Sequence, residues 1–301
     1  MSHQRTISSN DDLAYSQAHI LIEIERLVQL IALGQHRSSQ NVYRQIFEHL
    51  PRYLAVYHPD YDYSEHIEVF WHGCQHQGAL NTNGVISDGQ VHALVDHIAI
   101  QVESPVFLRS VSDRRYQTKD NRASIEKYAR SLHGDHSRLL VVRVDFNYRM
   151  DIQHHIMIVD VYWHLERMRK AKSRLSFFEN LVGSAWCIEQ GGTRGYHIHA
   201  VYYFLGSKHQ NDWFMANHIG LLWVSNTEGL GTYHNCNSPA EKANYERKGI
   251  LGVGMIHRDD AEACNNAIKA VSYLSDTDKD DQYLRMKPKG RRAFATGITR
   301  R

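Results

Sequence analysis

Two histidines two positions apart, His197 and His199, lie in residues 184–204, a segment rich in aromatic and β-branched residues. The turn-forming stretch G-G-T-R-G divides this segment into two apolar runs, a pattern that predicts a β-hairpin. Because alternate side chains of a strand share a face, both imidazoles leave the same face of the hairpin. With a three-residue loop at 192–194, Glu189 lies directly opposite His197 on that face.

Two imidazoles and one carboxylate converging above a sheet suit a divalent cation that keeps open coordination positions. The preferred ion is Mg²⁺ or Mn²⁺ carrying a phosphate oxygen. The chain has 21 histidines, so on the order of one or two His-x-His pairs arise by chance. The strand context, the carboxylate on the same face and the apolar continuation at 201–204 favour a metal site over ordinary hairpin histidines.

A second cluster, His72, Cys74 and His76, has an H-x-C-x-H spacing that zinc can use. No second pair of ligands is near it in sequence, so we favour an ordinary structural role for these residues. The four cysteines of the chain show no C-x-x-C spacing. This argues against both a disulfide framework and a structural zinc knuckle.

Length and composition predict a globular protein with a substantial core, in one large domain or two unequal ones. The start of the chain lacks a signal-peptide pattern, and no apolar run approaches about 18 residues, so we expect a cytoplasmic protein without a membrane partner. Residues 1–130 carry a net charge of −3, and residues 131–301 a net charge of +5. This modest excess excludes duplex binding by charge alone and predicts local contacts to a polyanion.

Apolar spacing and capping residues predict the helices of the first half of the chain, at 13–33, 41–50, 88–102 and 124–132. Residues 53–84 have no clear period and are predicted to form a loop. Turn-forming residues at 134–137 mark a boundary. We therefore expect a mainly helical N-terminal region over residues 1–133, with no role indicated by its sequence.

Beyond this boundary the pattern alternates between strands and helices. The segment 139–148 predicts a buried strand with Arg143 and Asp145 on one face. Helices are predicted at 158–174, 211–224 and 261–275, a loop at 225–237 and a short strand at 249–255. This order predicts an α+β domain over residues 134–301, with a central antiparallel sheet and helices on one face as two layers.

The strand 140–146, the E-x7-H-x-H hairpin and the later helix bearing a tyrosine resemble the HUH rolling-circle replication initiators. The sequence is most similar to the inovirus-type replication proteins of filamentous phages and prophages, the YagK/YfjJ C-terminal domain family, over about residues 138–292. The resemblance implies an HUH-type nuclease domain that nicks and transfers single-stranded DNA. Such an enzyme initiates rolling-circle replication of a phage, prophage or plasmid-like element. The implied partners are single-stranded DNA at a replication origin and a host helicase.

The resemblance also implies roles for the hairpin residues. His197 and His199 are the implied ligands of Mg²⁺ or Mn²⁺, with Glu189 as the third. A register shift of one residue would put Gln190 in the place of Glu189. The DNA contacts are predicted at basic residues of the hairpin, the preceding strand and the C-terminal end, namely Arg143, Arg194, Lys287, Lys289, Arg291 and Arg292.

In this family a tyrosine attacks the phosphodiester and forms a 5′-phosphotyrosine intermediate. Tyr273, after a long helix, is the predicted nucleophile. Many relatives have a lysine three residues later, where this chain has Asp276, and Lys279 is the predicted replacement for that charge. Tyr283, with Lys287 four residues on, is the alternative nucleophile. Two other functions stay open: a DNA-binding regulator whose metal site has lapsed, and a metal-dependent nuclease that uses water.

Overall fold

The computed structural model describes residues 16–37, 41–79, 86–272 and 282–297. Within these residues the chain has an α+β fold with nine α-helices, which confirms the predicted class. The helices are α1 Gln17–Ala32, α2 Asn41–Val56, α3 Glu65–His76, α4 Asp88–Val102, α5 Pro105–Asp135, α6 Ile158–Arg174, α7 Asp212–Asn226, α8 Pro239–Arg247 and α9 Ala261–Ser272. The strands are β1 Tyr61–Tyr63, β2 Arg138–Tyr148, β3 Leu181–Gly191, β4 Gly195–Leu205, β5 Gly231–Asn235, β6 Gly254–His257, β7 Met286–Pro288 and β8 Phe294–Thr296.

Six of these strands form one antiparallel sheet in the order β5-β2-β4-β3-β8, and β6 pairs with β2. Strands β5 and β6 share one edge of β2, with β5 beside its C-terminal half and β6 beside its N-terminal half. Strands β1 and β7 form a separate pair. The three long strands β2, β4 and β3 are therefore adjacent, and their side chains define the centre of both faces of the sheet.

Helices cover both faces of this sheet, so the prediction of helices on one face is wrong. Leu140 and Val142 share a core with residues of α6 and α7. Leu139 and Val141, on the opposite face of the same strand, share a second core with residues of α5 and α9. A strand that is apolar on both faces needs cover on both.

The N-terminal helices belong to the first of these cores, together with one face of the sheet. Gln17 in α1 accepts hydrogen bonds from the backbone N–H of Ile158 at 2.8 Å and from the Tyr196 hydroxyl at 3.1 Å. The β1–β7 pair joins Tyr61–Tyr63 to Met286–Pro288. Packing therefore continues across residue 133, where the sequence suggests a boundary.

Several element predictions differ from the structure. The predicted loop 53–84 contains β1 and α3. The sequence did not indicate α3 because its buried apolar side chains, Ile67, Phe70 and Cys74, form a narrow stripe among polar and aromatic residues. Helix α5 starts at Pro105, whereas the prediction started it at 124. The earlier turns were not predicted because the middle of the helix is exposed and has no apolar period.

Three other elements also differ from their predicted bounds. Helix α2 continues through Pro51 to Val56. The predicted loop 225–237 contains the edge strand β5, and β6 begins five residues later than the strand predicted at 249–255. None of the described helices combines the length and the apolar character needed to cross a bilayer.

Candidate metal centre

The β3–β4 hairpin has the predicted three-residue loop, 192–194, between strands that pair in the predicted register. Glu189 lies opposite His197, and Cys187 lies opposite His199. Gly195 closes the loop at φ +60°, in the left-handed region that glycine adopts without steric cost. The local sequence therefore fixes the register that brings the carboxylate to the two imidazoles.

The three side chains converge on one point. Glu189 Oε2 lies 3.2 Å from His197 Nε2 and 3.2 Å from His199 Nε2. Adjacent ligands of an octahedral ion with metal–ligand distances near 2.1 Å are about 3.0 Å apart. The three residues are buried, and within the described part of the chain they form the one group of three or more histidines, cysteines or acids whose ligand atoms converge. The donor set and spacing therefore fit a divalent cation.

The outer nitrogens of both imidazoles face acceptors. His199 Nδ1 lies 2.7 Å from Asp145 Oδ1, within ion-pair distance although its direction is not that of a linear hydrogen bond. His197 Nδ1 lies 3.4 Å from the carbonyl oxygen of Gly195. In the tautomer with the proton on Nδ1, each imidazole directs its Nε2 lone pair at the Glu189 oxygen. These lone pairs repel one another unless a proton or a metal cation lies between them.

Asp145 on β2 extends the centre across a third strand. It pairs with His199 in the β2–β4 register and accepts hydrogen bonds from Arg143 Nε at 3.2 Å and from its terminal nitrogen at 3.4 Å. Burial alone would raise the pKa of Asp145, but Arg143 and His199 outweigh burial and lower that pKa below its usual range. Asp145 is therefore an anion that orients His199.

The site favours positive charge at its centre. Burial would lower the pKa of His199, but the contacts with Asp145 and Glu189 outweigh this effect and raise that pKa. Two carboxylates thus face one imidazole from opposite sides. A bound divalent cation satisfies the same electrostatic demand as the proton on His199 and competes with it.

Gln190, the alternative third ligand, lies on the other face of the hairpin. Its amide donates to the carbonyl oxygen of Ala18 at 2.7 Å and its oxygen accepts from the Arg285 backbone N–H at 2.9 Å. In this register Gln190 ties helix α1 to the C-terminal segment and cannot replace Glu189.

The hydroxyl of Tyr283, the alternative nucleophile, is engaged by a carboxylate of helix α1. This hydroxyl donates to Glu25, and the guanidinium groups of Arg114 and Arg285 lie 4.2 and 4.7 Å from the ring centroid of Tyr283. Burial and the neighbouring Glu25 raise the pKa of its hydroxyl. Both features oppose a nucleophilic role in this conformation.

Tyr273 and Lys279 lie outside the described residues. Helix α9, which ends one residue before Tyr273, packs through Ala267 and Val271 in the core that contains Val201 of β4. Val201 and His199 are two positions apart on that strand and share a face. The last described residue before Tyr273 therefore belongs to a helix on the metal-site face of the sheet.

The predicted DNA contacts are spread over several places. Arg194, at the exposed tip of the hairpin, lines with His197 a cavity of about 380 Å³. Arg143 forms an ion pair with Asp145. Lys287 pairs with Asp62 at 2.5 Å.

The remaining three basic residues contact other parts of the fold. Lys289 donates to the carbonyl oxygen of Pro59 at 3.0 Å. Arg291 and Arg292 line a different cleft, over the opposite face of the sheet. Of the six predicted contacts, Arg194 is thus the exposed basic residue that shares a cavity with a metal-site residue.

The three residues of the H-x-C-x-H motif do not converge on one point. Cys74 is buried in the core, whereas His72 and His76 are exposed on the outer side of helix α3. The three side chains therefore do not lie together, and the ordinary structural role stays a prediction.

Sequence reasoning did not assign two acidic residues that the structure makes prominent. Asp145 was noted as a polar residue in an apolar strand, and that exception was the available signal. Glu25 in α1 forms a buried ion pair with Arg285, 260 positions later, and no sequence pattern indicates this partner.

Comparison of the chain with protein-family models, curated proteins and solved structures finds no match. The class that the structure itself defines is an α+β protein with a buried Glu-His-His group able to hold a metal ion. The resemblance to HUH initiators stays a prediction from the motif and the order of elements.

Proposed function

We propose that the protein is a metal-dependent single-strand DNA endonuclease and strand transferase of the HUH type, which initiates rolling-circle replication of a phage, prophage or plasmid-like element. The observation that carries the proposal is the convergence of Glu189, His197 and His199 on one point, with 3.2 Å between the carboxylate oxygen and each Nε2. Three ligands on one side leave further positions of an octahedral ion for phosphate oxygens.

The proposed ion is Mg²⁺ or Mn²⁺, which would neutralise charge on the non-bridging oxygens of a phosphodiester. Glu189, His197 and His199 would hold it. Asp145 keeps the Nδ1 proton of His199 in place, so that Nε2 presents its lone pair to the centre. Arg143 in turn holds Asp145 as an anion.

Tyr273 is the proposed nucleophile. Its phenol oxygen would give up its proton and bond to phosphorus while the bond from phosphorus to the 3′ oxygen breaks. The released 3′ oxygen takes up one proton, so the step conserves protons overall. The resulting 5′-phosphotyrosine keeps the energy of the ester, so a 3′-hydroxyl can reseal the strand without ATP. The position of α9 on the metal-site face of the sheet supports this assignment. Single-stranded origin DNA and a host helicase are the proposed partners.

The test uses a pool of single-stranded oligonucleotides of randomised sequence with Mn²⁺. We expect covalent protein–DNA adducts with wild-type protein and none with the double variant His197→Ala, His199→Ala. The double variant His72→Ala, His76→Ala removes two exposed imidazoles from a helix and should behave like the wild type.

Two tyrosine variants identify the nucleophile. Tyr273→Phe should abolish the adduct and keep DNA binding, while Tyr283→Phe should keep both. Cleavage with free 5′-phosphate ends in Tyr273→Phe and in the wild type alike would mean that water is the nucleophile. DNA binding without any cleavage would instead point to a regulator.

A further inference from the structure

A second cleft lies over the face of the sheet opposite to His197 and His199. Helix α6, strand β3 and residues 290–292 enclose it, and its volume is about 310 Å³, within the usual range for a small-ligand site. Ala200 and Tyr202 of β4 form part of its floor. They alternate with the histidines along β4 and therefore face the other way.

The rim of this cleft carries four cationic side chains and one acidic side chain. Arg169 is balanced by Glu166, through contacts of 2.6 and 2.8 Å. Across the described residues, no carboxylate forms an ion pair with Lys172, Arg291 or Arg292. Three cations thus surround a cavity whose one acidic residue is already paired.

Lys172 is the most informative of these cations. Its ammonium group is half-buried and donates to the Ser184 hydroxyl at 3.0 Å, a neutral partner. Burial, and then the neighbouring Arg169, lower the pKa of Lys172. A cation placed in such surroundings gains most from an anionic ligand, because the ligand replaces lost hydration.

Aromatic side chains line the same cleft. Trp186 of β3 is half-buried on its wall. The guanidinium group of Arg291 lies 5.9 Å from the ring centroid of Tyr162, whose hydroxyl donates to the carbonyl oxygen of Arg292. Cations beside a partly exposed aromatic wall are the combination that binds unpaired nucleotides.

We propose that this cleft binds one phosphate-bearing nucleotide through Lys172, Arg291 and Arg292, with Trp186 against its base. The nucleotide belongs to the single strand on which the protein acts, so the inference rests on the proposed function in this respect. A DNA strand bound both in this cleft and at Glu189 would contact both faces of the sheet. The phosphate could also come from a free nucleotide, which the experiment below distinguishes.

The experiment measures binding without cleavage. Fluorescence anisotropy in EDTA gives the Kd of a labelled 25-nucleotide single strand for the full chain, for Lys172→Gln and for the double variant Arg291→Gln, Arg292→Gln. Lys170→Gln is the control, because Lys170 is exposed on the same helix and does not line the cleft. Lys172→Gln keeps an amide near Ser184, and thermal melting checks the fold of each variant.

We expect both cleft variants to weaken binding about tenfold, as for loss of a charge-assisted hydrogen bond. The slope of log K against log salt should fall by about 0.7 for each phosphate contact removed. Lys170→Gln should match the wild type. Calorimetric titration with dAMP then distinguishes the source. If the wild type binds dAMP tightly and both cleft variants do not, the cleft is a site for a free nucleotide. This result would support the phosphate site and overturn its assignment to single-stranded DNA.

Folded cleft variants that bind the single strand and dAMP as the wild type does would overturn the proposal. Its failure is distinct from failure of the nuclease. If the wild type forms adducts and the cleft variants bind DNA as the wild type does, the cleft proposal fails and the nuclease proposal stands. If the cleft variants bind DNA more weakly but the wild type forms no adduct, the nuclease proposal fails and the cleft proposal stands.

Discussion

Asp145→Asn tests whether a carboxylate outside the ligand set controls the metal site. The substitution keeps the shape of the side chain and an acceptor for His199 Nδ1, and it removes the negative charge 2.7 Å from that nitrogen. Loss of an outer partner of a metal-bound histidine lowers metal affinity by about 10- to 100-fold. This corresponds to about 1.4 to 2.7 kcal/mol of binding free energy.

The same substitution has a second effect on stability. Arg143 and Asp145 have side chains only 16% and 18% exposed, so Asp145→Asn leaves a nearly buried cation without its partner. Breaking such a pair costs about 3 to 5 kcal/mol. The free energy of unfolding should fall by this amount in urea denaturation.

The double variant Arg143→Met, Asp145→Asn separates the two effects. It removes the unpaired cation, so stability should recover, while the charge beside His199 stays absent. Electron paramagnetic resonance of free Mn²⁺ measures the affinity of each variant at a temperature where all are folded. Asp151→Asn is the control, since Asp151 is exposed and its ion-pair partner is Arg149, which is not part of the metal site.

Two results would refute this reasoning. A Kd for Mn²⁺ within threefold of the wild type in Asp145→Asn would show that Asp145 does not support His199. Recovery of Mn²⁺ affinity in the double variant would assign the loss to Arg143, and the outer carboxylate would have no role of its own.

Two further predictions concern the fold that supports the site. Burial lowers the pKa of His133 to about 4, so as the pH falls the unfolded chain binds a proton at this histidine before the folded chain does. The free energy of unfolding should therefore drop between pH 6.5 and 4 by on the order of 3 kcal/mol. In urea denaturation, His133→Gln should show a shallower dependence of this free energy on pH, and an equal dependence would contradict the prediction. In Gly252→Ala the new Cβ would lie 2.5 Å from backbone atoms of Asn266 in helix α9, so we expect a loss of about 1 to 3 kcal/mol. Gly192→Ala, with open space around the same Cβ position, should leave the melting temperature unchanged.

The local features of the site could be predicted from the sequence. Turn-forming residues at the hairpin tip, with apolar runs on either side, set the loop at 192–194 and the register of Glu189 against His197. A period of two residues then placed His199 on the same face. Such features depend on a few neighbouring residues, and backbone geometry decides them without distant partners.

Tertiary structure decided the features that depend on distant contacts. Asp145 reaches His199 only because β2 pairs with β4, 54 positions away in sequence. Helix α5 is long although its middle is polar, because its two ends are fixed by packing instead of by an apolar period. Glu25 is buried against Arg285, and Arg291 borders a cleft on the far face of the sheet. Local sequence specifies a strand and its face, whereas the neighbour of a strand and the cover of a face result from competition among all the apolar surfaces of the chain.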